Sequence, residues 1–303
     1  MWYNISLKNG DFMIKRELSY YSSRIKKEIG RGEGSVVFLL KDGRILKLFD
    51  ISNLLLFKKM GYDLEKTILS SEKYQIPVEI KKPVEAIYQS GIFCGYIMKA
   101  ARGISFNERD EKLTIEQRRN LHDYAILHNN LEKVIKKSDE FVFPDLLTCD
   151  NIFVDRNLNI ELIDFDGMQV GDNKTMVIST SLGNTGALLK NPKYCDRENF
   201  LFKKELDIKS LIHLYFLDTF NVDLSKVGVM NPMTNTRVTL EDIFISINLH
   251  DYDLMDKVWK VFQKNKQNEY LGEDVFRIAE DCKMSVMKNP FVPNTYVKKL
   301  VRK

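Results

Sequence analysis

The chain has 303 residues and carries 46 Lys and Arg side chains against 42 Asp and Glu, a formal net charge of +4. This balance is too mild for a protein that coats nucleic acid by charge alone, and no segment approaches the ~18 consecutive apolar residues of a membrane span. The apolar content of 44% can fill substantial cores, and the length corresponds to about two domains. We therefore expect a globular protein with no nucleic-acid partner and no transmembrane segment.

The cysteines and the N-terminus indicate the cellular setting. The four cysteines are far apart and form no CxxC pair with the spacing of a metal site. The first ten residues lack the basic region and apolar core of a secretory signal. Together these features predict a reducing, cytoplasmic setting, whereas no pattern in the sequence indicates an oligomeric state.

The first hundred residues mostly show the period-two pattern of β-strands. Asp42-Gly43 lies between two β-rich runs and predicts a tight hairpin turn. Apolar residues at helical spacing predict one helix from about Asn53 to Tyr74. The predicted strands cover residues 25–29, 35–40, 44–49, 84–88 and 92–98.

Beyond Gly103 the sequence becomes mainly helical. Residues 114–137 have helical periodicity, with Thr114 and Gln117 at the spacing of a capping box. A short hairpin is predicted next, with strands at 151–154 and 160–163. A small β-rich part therefore precedes a larger helical part, with the boundary near Ala100 to Gly103. Further helices are predicted at 206–220, 240–249, 254–264 and 273–287.

Three glycines lie close together in Gly30-Arg-Gly32-Glu-Gly34-Ser-Val36. Glycine lets the backbone approach a bound group closely, and exposed amides can face phosphate oxygens. The pattern also fits a glycine-rich β-turn with no ligand. Because the loop leads directly into a strand, it is neither a dinucleotide-binding loop nor a Walker loop, both of which open a helix.

Charged and polar side chains at two further places could act with this loop. Lys47 follows one hairpin later, where its ammonium and the glycine loop would face one cleft. Asp145, Asn151 and Asp164 flank the later hairpin, so their oxygens are expected at one end of it. Oxygen ligands of this type suit Mg²⁺, although ordinary surface carboxylates beside a polar turn would give the same pattern.

This ordered set resembles the protein-kinase family over roughly residues 26–220. Asn151 and Asp164 are 13 residues apart, which is the usual spacing of the family's metal-binding pair. The resemblance implies a two-lobed α+β fold, with a small antiparallel β-rich N-lobe, one main N-lobe helix and a larger, mainly α C-lobe. The implied boundaries are an N-terminal extension (1–23), an N-lobe (24–101) and a C-lobe (102–303).

The resemblance also implies a role for each matching residue. Asp145 is similar to the catalytic aspartate, and Lys47 to the lysine that contacts the nucleotide phosphates. Glu65 is the best match for the ion-pair partner of Lys47, with Glu72 as its rival. Asp207 resembles the aspartate that braces the catalytic loop. The implied ATP contacts are Gly30, Gly32, Gly34, Val36, Lys47, Met98 and Ala100, and the implied Mg²⁺ ligands are Asn151 and Asp164.

The chain departs from the family pattern at several positions. Phe143-Pro144 replaces the His-Arg that precedes the catalytic aspartate, and the loop to Asn151 is one residue longer than usual. Asp166 replaces the glycine of Asp-Phe-Gly, and no Ala-Pro-Glu follows. Activation by loop phosphorylation is therefore not expected.

The resemblance implies an ATP- and Mg²⁺-dependent phosphotransferase. A protein kinase acting on Ser/Thr hydroxyls is favoured, because Leu147-Thr148 does not resemble the Ala-Ala-Arg of tyrosine kinases. Two alternatives remain open. A small-molecule kinase of the same fold would explain the loss of His-Arg and Ala-Pro-Glu, and a nucleotide-binding pseudokinase would explain the short glycine loop and Asp166.

Overall fold

The protein is described by a computed structural model over part of its length. The described residues are 13–32, 34–111, 122–137, 139–146, 149–175, 195–196, 201–208, 210–211, 214, 233 and 235. The helices predicted at 240–249, 254–264 and 273–287 lie outside them, as does most of the one predicted at 206–220. No helix among the described residues has the length and apolar character needed to cross a membrane.

A six-stranded sheet forms the N-terminal part, with strand order β1-β5-β6-β4-β3-β2. Neighbouring strands are antiparallel except β1, which pairs with β5 in parallel. The five predicted strands are confirmed, and the sixth, β1, was not predicted. The strands are β1 (Ile14–Glu17), β2 (Ile25–Arg31), β3 (Ser35–Leu40), β4 (Ile45–Phe49), β5 (Pro83–Gln89) and β6 (Ile92–Met98).

The unpredicted strand β1 lies at the edge of the sheet and has mostly polar side chains. Its sequence, Ile14-Lys-Arg-Glu17, has one apolar residue, which is itself exposed. An edge strand of this kind gives no clear alternation of buried and exposed positions. The segment expected to be only an extension of the N-lobe therefore contributes a strand to the sheet.

Strand β4 separates two hydrophobic clusters, because successive side chains of a strand point to opposite faces. Leu46 packs into a small cluster on the outer face of the sheet. Ile45 and Phe49 belong to the main core, which continues into the C-terminal part. Lys47 shares the face of Ile45 and Phe49, so its side chain points toward the C-terminal part of the protein.

Two short helices follow strand β4, where one long helix was expected. Helix α1 (Ile51–Lys59) and helix α2 (Leu64–Ser70) are separated at Gly61, which has a φ of +86°. Asp63 then caps α2 by accepting a hydrogen bond from the Lys66 amide at 3.1 Å. The prediction of a single helix was wrong because Gly61 and Asp63 are stop and start signals within an otherwise continuous apolar pattern.

The C-terminal part combines helices with short strands. The predicted hairpin is confirmed, since β9 and β10 pair antiparallel and β7 lies on the other side of β9. The observed α+β class therefore agrees with the prediction. The elements are β7 (Ile104–Ser105), α3 (Phe106–Glu111), α4 (His122–Ile135), β8 (Phe141–Val142), β9 (Ile152–Val154), β10 (Ile160–Leu162), β11 (Gln169–Val170), β12 (Cys195–Asp196) and β13 (Leu201–Phe202).

The two parts are joined along β10. The Lys81 amide donates to the Leu162 carbonyl at 2.8 Å, and the Leu162 amide donates to the Glu79 carbonyl at 2.9 Å. Beside them, the buried Glu161 carboxylate pairs with Lys81 at 2.8 Å and with Arg102 at 2.7 Å. Although burial raises the pKa of Glu161, the hydrogen bonds from Lys81 and Arg102 outweigh that effect and lower it.

At Gly103, near the junction of the two parts, another segment of backbone packs very closely against the chain. Gly43 and Gly103 have φ values of +85° and +86°, so an alanine at either position strains the backbone by about 1 kcal/mol. A Cβ at Gly103 would lie 1.8 Å from the Val154 carbonyl oxygen, whereas a Cβ at Gly43 would meet nothing within 4 Å. We expect Gly103→Ala to lower the free energy of unfolding by at least about 2 kcal/mol more than Gly43→Ala.

Denaturant unfolding of the two variants beside the wild type measures this difference. Equal losses for both variants would contradict the close approach at Gly103.

Candidate active site

Lys47 lies at the centre of a buried polar cluster between the six-stranded sheet and the β9–β10 hairpin. It occupies the middle of β4, opposite Val37 of β3 and Tyr96 of β6, and is only 8% exposed. Its ammonium makes an ion pair with Asp164 and contacts both Asp166 carboxylate oxygens, at 2.8 and 2.9 Å. The lysine of the sheet is thus bound to two carboxylates that follow β10.

The backbone after β10 brings both carboxylates to the same ammonium. Asp164 has left-handed backbone angles, with φ of +68° and ψ of +49°, which are uncommon for a residue other than glycine. A 3-10 turn at Phe165–Gly167 follows, closed by a hydrogen bond from the Gly167 amide to the Asp164 carbonyl at 2.9 Å. Residues of this kind are concentrated at functional sites, where surrounding contacts hold a strained backbone.

Two buried tyrosines complete the contacts of Asp166. The Tyr96 hydroxyl donates to Asp166 Oδ1 at 2.6 Å, and the Tyr62 hydroxyl donates to the Asp166 backbone carbonyl at 3.2 Å. Burial, followed by the charges of Asp166 and Asp164, raises the pKa of both phenols well above its ordinary value. Both tyrosines therefore remain neutral hydrogen-bond donors.

The electrostatics of the cluster keep Lys47 charged. Burial alone would lower the pKa of Lys47, but the negative charges of Asp166 and Asp164 outweigh burial and raise it. Burial and the neighbouring Asp164 charge raise the pKa of Asp166, while Lys47 opposes this rise. Lys47 is therefore a positive ammonium that is paired with the two carboxyl groups of Asp164 and Asp166.

Glu65 and Glu72, the two expected partners of Lys47, make other contacts. Glu65, on α2, accepts a hydrogen bond from the Tyr88 hydroxyl at 2.8 Å. Glu72 pairs with Lys82 at 3.2 Å. In this structure the role expected of a helix-borne glutamate is therefore filled by Asp166 and Asp164.

The loop before β9 carries the other predicted polar residues. Asn151 ends a 3-10 turn, and its amide nitrogen lies 3.4 Å from Asp145 Oδ2. The Ile163 amide donates to the Asn151 carbonyl at 3.0 Å, which places Asn151 beside the residue that precedes Asp164. The hairpin thus brings Asp145, Asn151 and Asp164 to one end, as the spacing predicted.

Asp207 binds the backbone just before this loop. It is fully buried in a helical stretch at 205–208, and its Oδ1 accepts a hydrogen bond from the Phe143 amide at 2.7 Å. Its other oxygen lies 3.0 Å from Lys204 Nζ. Asp207 is therefore bound to the backbone two residues before Asp145, a geometry that suits a structural brace.

The glycine-rich segment forms a tight turn between β2 and β3. The Gly32 amide donates to the Ser35 carbonyl at 2.9 Å, and the Asp50 amide donates to the Gly34 carbonyl at 3.0 Å. Gly30 lies within β2, and Val36 is half-buried on β3. Because β3 is next to β4, the turn lies close to the strand that carries Lys47.

Met98 and Ala100 lie where the sheet passes into the C-terminal part. Met98 is the buried last residue of β6, and Ala100 packs half-buried against the same core. The chain then reaches Arg102, whose amide donates to Glu161 at 2.7 Å. The backbone of this connection is consequently fixed by β6 at one end and by the Arg102–Glu161 hydrogen bond at the other.

Mg²⁺ would find suitable donor atoms in the side chains of Asn151 and Asp164. Both supply oxygen, the donor that Mg²⁺ prefers, and the Asp164 side chain is 26% exposed against 8% for Asp166. The described residues contain no group of three or more His, Cys, Asp or Glu that could enclose a metal by themselves. The two residues therefore fit an ion that shares its remaining positions with water and substrate.

Two important contacts in this cluster, those of Asp166 and Tyr96, were not predicted from the sequence. Asp166 was noted only as a replacement for glycine, and Tyr96 only as part of a strand. Tyr96 could have been found from its register, because it lies directly opposite Lys47 in the sheet. The pairing of Asp166 with Lys47 could not, since it depends on the left-handed turn at Asp164.

Comparisons with known proteins give likeness in structure but none in sequence. No family model matches the chain, and no curated protein shows significant sequence similarity to it. Among solved structures it is similar to the BubR1 kinase domain, with 16% sequence identity and a TM-score of 0.44. That match covers 92% of this chain and 83% of the other.

The buried Asp207 makes stability depend on pH in a defined direction. Burial raises its pKa from 3.8 to about 6, although Lys204 and the Phe143 amide oppose this rise. A carboxyl with a raised folded-state pKa gives its full stabilisation below the unfolded value and loses it as the pH rises through the folded value. Relative to Asp207→Asn, the wild type should therefore lose about 3 kcal/mol of unfolding free energy between pH 3.5 and pH 7.

Denaturant unfolding of wild type and Asp207→Asn across this range measures the effect. Asparagine keeps an oxygen that can accept from the Phe143 amide, so the pH dependence isolates the charge. A difference between the two proteins that does not change with pH would contradict the prediction.

Proposed function

We propose that this protein is an ATP- and Mg²⁺-dependent kinase that transfers phosphate to Ser/Thr hydroxyls of proteins. One observation carries the proposal: Lys47 of the sheet makes an ion pair with Asp164, which is 117 residues away in sequence and lies beside Asn151 and Asp145. A cation that can bind phosphate oxygens, two oxygen ligands for Mg²⁺ and a carboxylate that can accept a proton are therefore connected in one cluster.

Each group has a chemical task in this proposal. The Lys47 ammonium binds phosphate oxygens of ATP, and the turn of Gly32 and Gly34 covers them. Backbone groups from Met98 to Ala100 accept the adenine. Bound through Asn151 and Asp164, Mg²⁺ would neutralise the charge that develops on the phosphates.

Asp145 acts on the acceptor. Its carboxylate orients the hydroxyl toward the γ-phosphorus and takes the hydroxyl proton as the new oxygen–phosphorus bond forms. The bond between the γ-phosphorus and the bridging oxygen breaks, and ADP leaves with the electron pair. Asn151, 3.4 Å from Asp145, helps to fix the position of that carboxylate.

The protein acceptor and the cellular setting are the finer parts of the proposal. The Ser/Thr preference rests on Leu147-Thr148, which does not resemble the corresponding stretch of tyrosine kinases and lies outside the described residues. A reducing, cytoplasmic setting is supported by Cys94, which is a buried free thiol.

A second candidate function, a nucleotide-binding pseudokinase, is favoured by one contact. Asp164 is already paired with Lys47, and Asp166 adds a second carboxylate to the same cation. Transfer requires that Asp164 give up this contact in favour of the bound nucleotide and metal. A protein that cannot make this exchange would bind nucleotide without turnover.

Phosphate transfer from radiolabelled ATP tests the proposal. The protein is incubated with Mg²⁺ and ATP, alone, with generic protein substrates and with small-molecule alcohols. We expect labelled protein substrate, and Asp145→Asn should lower the rate by about 100-fold or more because the proton acceptor is lost.

Asp155→Asn is the matched control, because Asp155 lies in the turn at the far end of the same hairpin. Its carboxylate accepts from the Asn157 and Asn159 amides at 2.8 and 3.0 Å, which an asparagine oxygen can also do. The control should keep its activity. Transfer only to small alcohols would favour a small-molecule kinase, and ATP binding with no turnover that depends on Asp145 would favour the pseudokinase.

A further inference from the structure

Lys47 donates most of its hydrogen bonds to Asp166, a residue to which the proposed chemistry gives no role. Both Asp166 oxygens contact the ammonium, at 2.8 and 2.9 Å, whereas Asp164 contributes one oxygen. The two carboxylates also differ in exposure, since the Asp166 side chain is 8% exposed and that of Asp164 is 26% exposed. Asp164 is therefore the more solvent-accessible of the two carboxylates, and Asp166 is the more deeply buried.

Two tyrosines and a contact to the next residue hold Asp166 in place. Tyr96 donates to its carboxylate at 2.6 Å, and Tyr62 donates to its backbone carbonyl at 3.2 Å. The next residue is also fixed, because the buried Thr175 hydroxyl donates to the Gly167 carbonyl at 2.8 Å. A buried carboxylate with these partners is a fixed support, whereas the more exposed Asp164 can exchange its partner.

The helix-borne Glu65 makes its contact with Tyr88 of strand β5. Its carboxylate accepts from Tyr88, and the residue lines a groove with Leu54, Ile92 and Phe93. Helix α2 faces the core through Leu64, Thr67 and Ile68. The glutamate at the start of α2 is therefore directed to β5 and the groove, and Lys47 takes its support from the chain after β10.

We infer that Asp166 is the positioning residue of Lys47: it holds the ammonium toward the cleft while Asp164 exchanges that ammonium for ligand. This inference deepens the proposed function and rests on it as far as the nucleotide is concerned. The orientation of Lys47 then depends on the turn at 164–167 and does not depend on where helix α2 lies.

Nucleotide binding to single and double variants tests the inference. The dissociation constant of a fluorescent ATP analogue is measured in EDTA, so that metal binding does not contribute. Asp166→Asn preserves the shape and the Tyr96 contact but leaves Lys47 ion-paired with Asp164 alone, and we expect the dissociation constant to rise about tenfold. Glu65→Gln, the contrasting variant, should change it by less than about twofold.

The double variants show whether Asp166 acts through Lys47. If it does, Asp166→Asn has no further effect on the dissociation constant once Lys47→Met has removed the ammonium. Additive effects of Asp166→Asn and Lys47→Met would overturn the inference, as would a loss of affinity in Glu65→Gln equal to that in Asp166→Asn. The comparison of these two single variants decides the matter even where Lys47→Met does not fold.

Thermal unfolding of the same variants tests the pairing without nucleotide. Lys47→Met leaves buried carboxylates without their cation, so adding Asp166→Asn should restore part of the lost melting temperature, whereas adding Glu65→Gln should not. No restoration by Asp166→Asn would overturn the pairing. A wild type that binds no nucleotide would instead refute the proposed function, and the unfolding comparison would still decide the role of Asp166.

Discussion

The site depends on the ion pairs of the Lys47 ammonium, which is buried between the sheet and the β9–β10 hairpin. A charge removed from water is tolerated only when opposite charges and hydrogen bonds replace the lost hydration. Here Asp164 and Asp166 supply them, and Tyr96 fixes one of the two. The sheet and the chain after β10 are therefore mutually dependent, because neither the cation nor the carboxylates could be buried alone.

Simple rules of local structure create this arrangement. Alternation along β4 directs Lys47 inward between Ile45 and Phe49, and the sheet register sets Tyr96 beside it. The left-handed angles of Asp164 reverse the chain so that side chains two residues apart reach one cation. The strain at this residue is offset by the ion pairs that it makes possible.

The sequence predicts the parts that local pattern or spacing determines. Alternating apolar residues and Asp42-Gly43 predicted the strands, and the distance from Asn151 to Asp164 predicted that both would lie at one end of a hairpin. The edge strand β1 escaped prediction because its side chains are mostly polar. The break at Gly61 was overlooked because the apolar pattern continues across it.

The ion-pair partner of Lys47 is a different kind of problem. It depends on how two distant segments meet in space, and several acids in the chain could satisfy an ammonium. Glu65 was the better candidate by analogy, yet Tyr88 holds it elsewhere. Asp166, which lies in the turn after Asp164, instead accepts from the lysine with both carboxylate oxygens.

The contacts along β10 also hold the sheet and the C-terminal part of the protein together. Segment 79–81 is hydrogen-bonded to Leu162, and Glu161 binds both Lys81 and Arg102. These contacts tie the sheet and the C-terminal part together on one side of the molecule. Pulling the two parts apart at this point would therefore require breaking these backbone hydrogen bonds and the ion pairs of the buried Glu161.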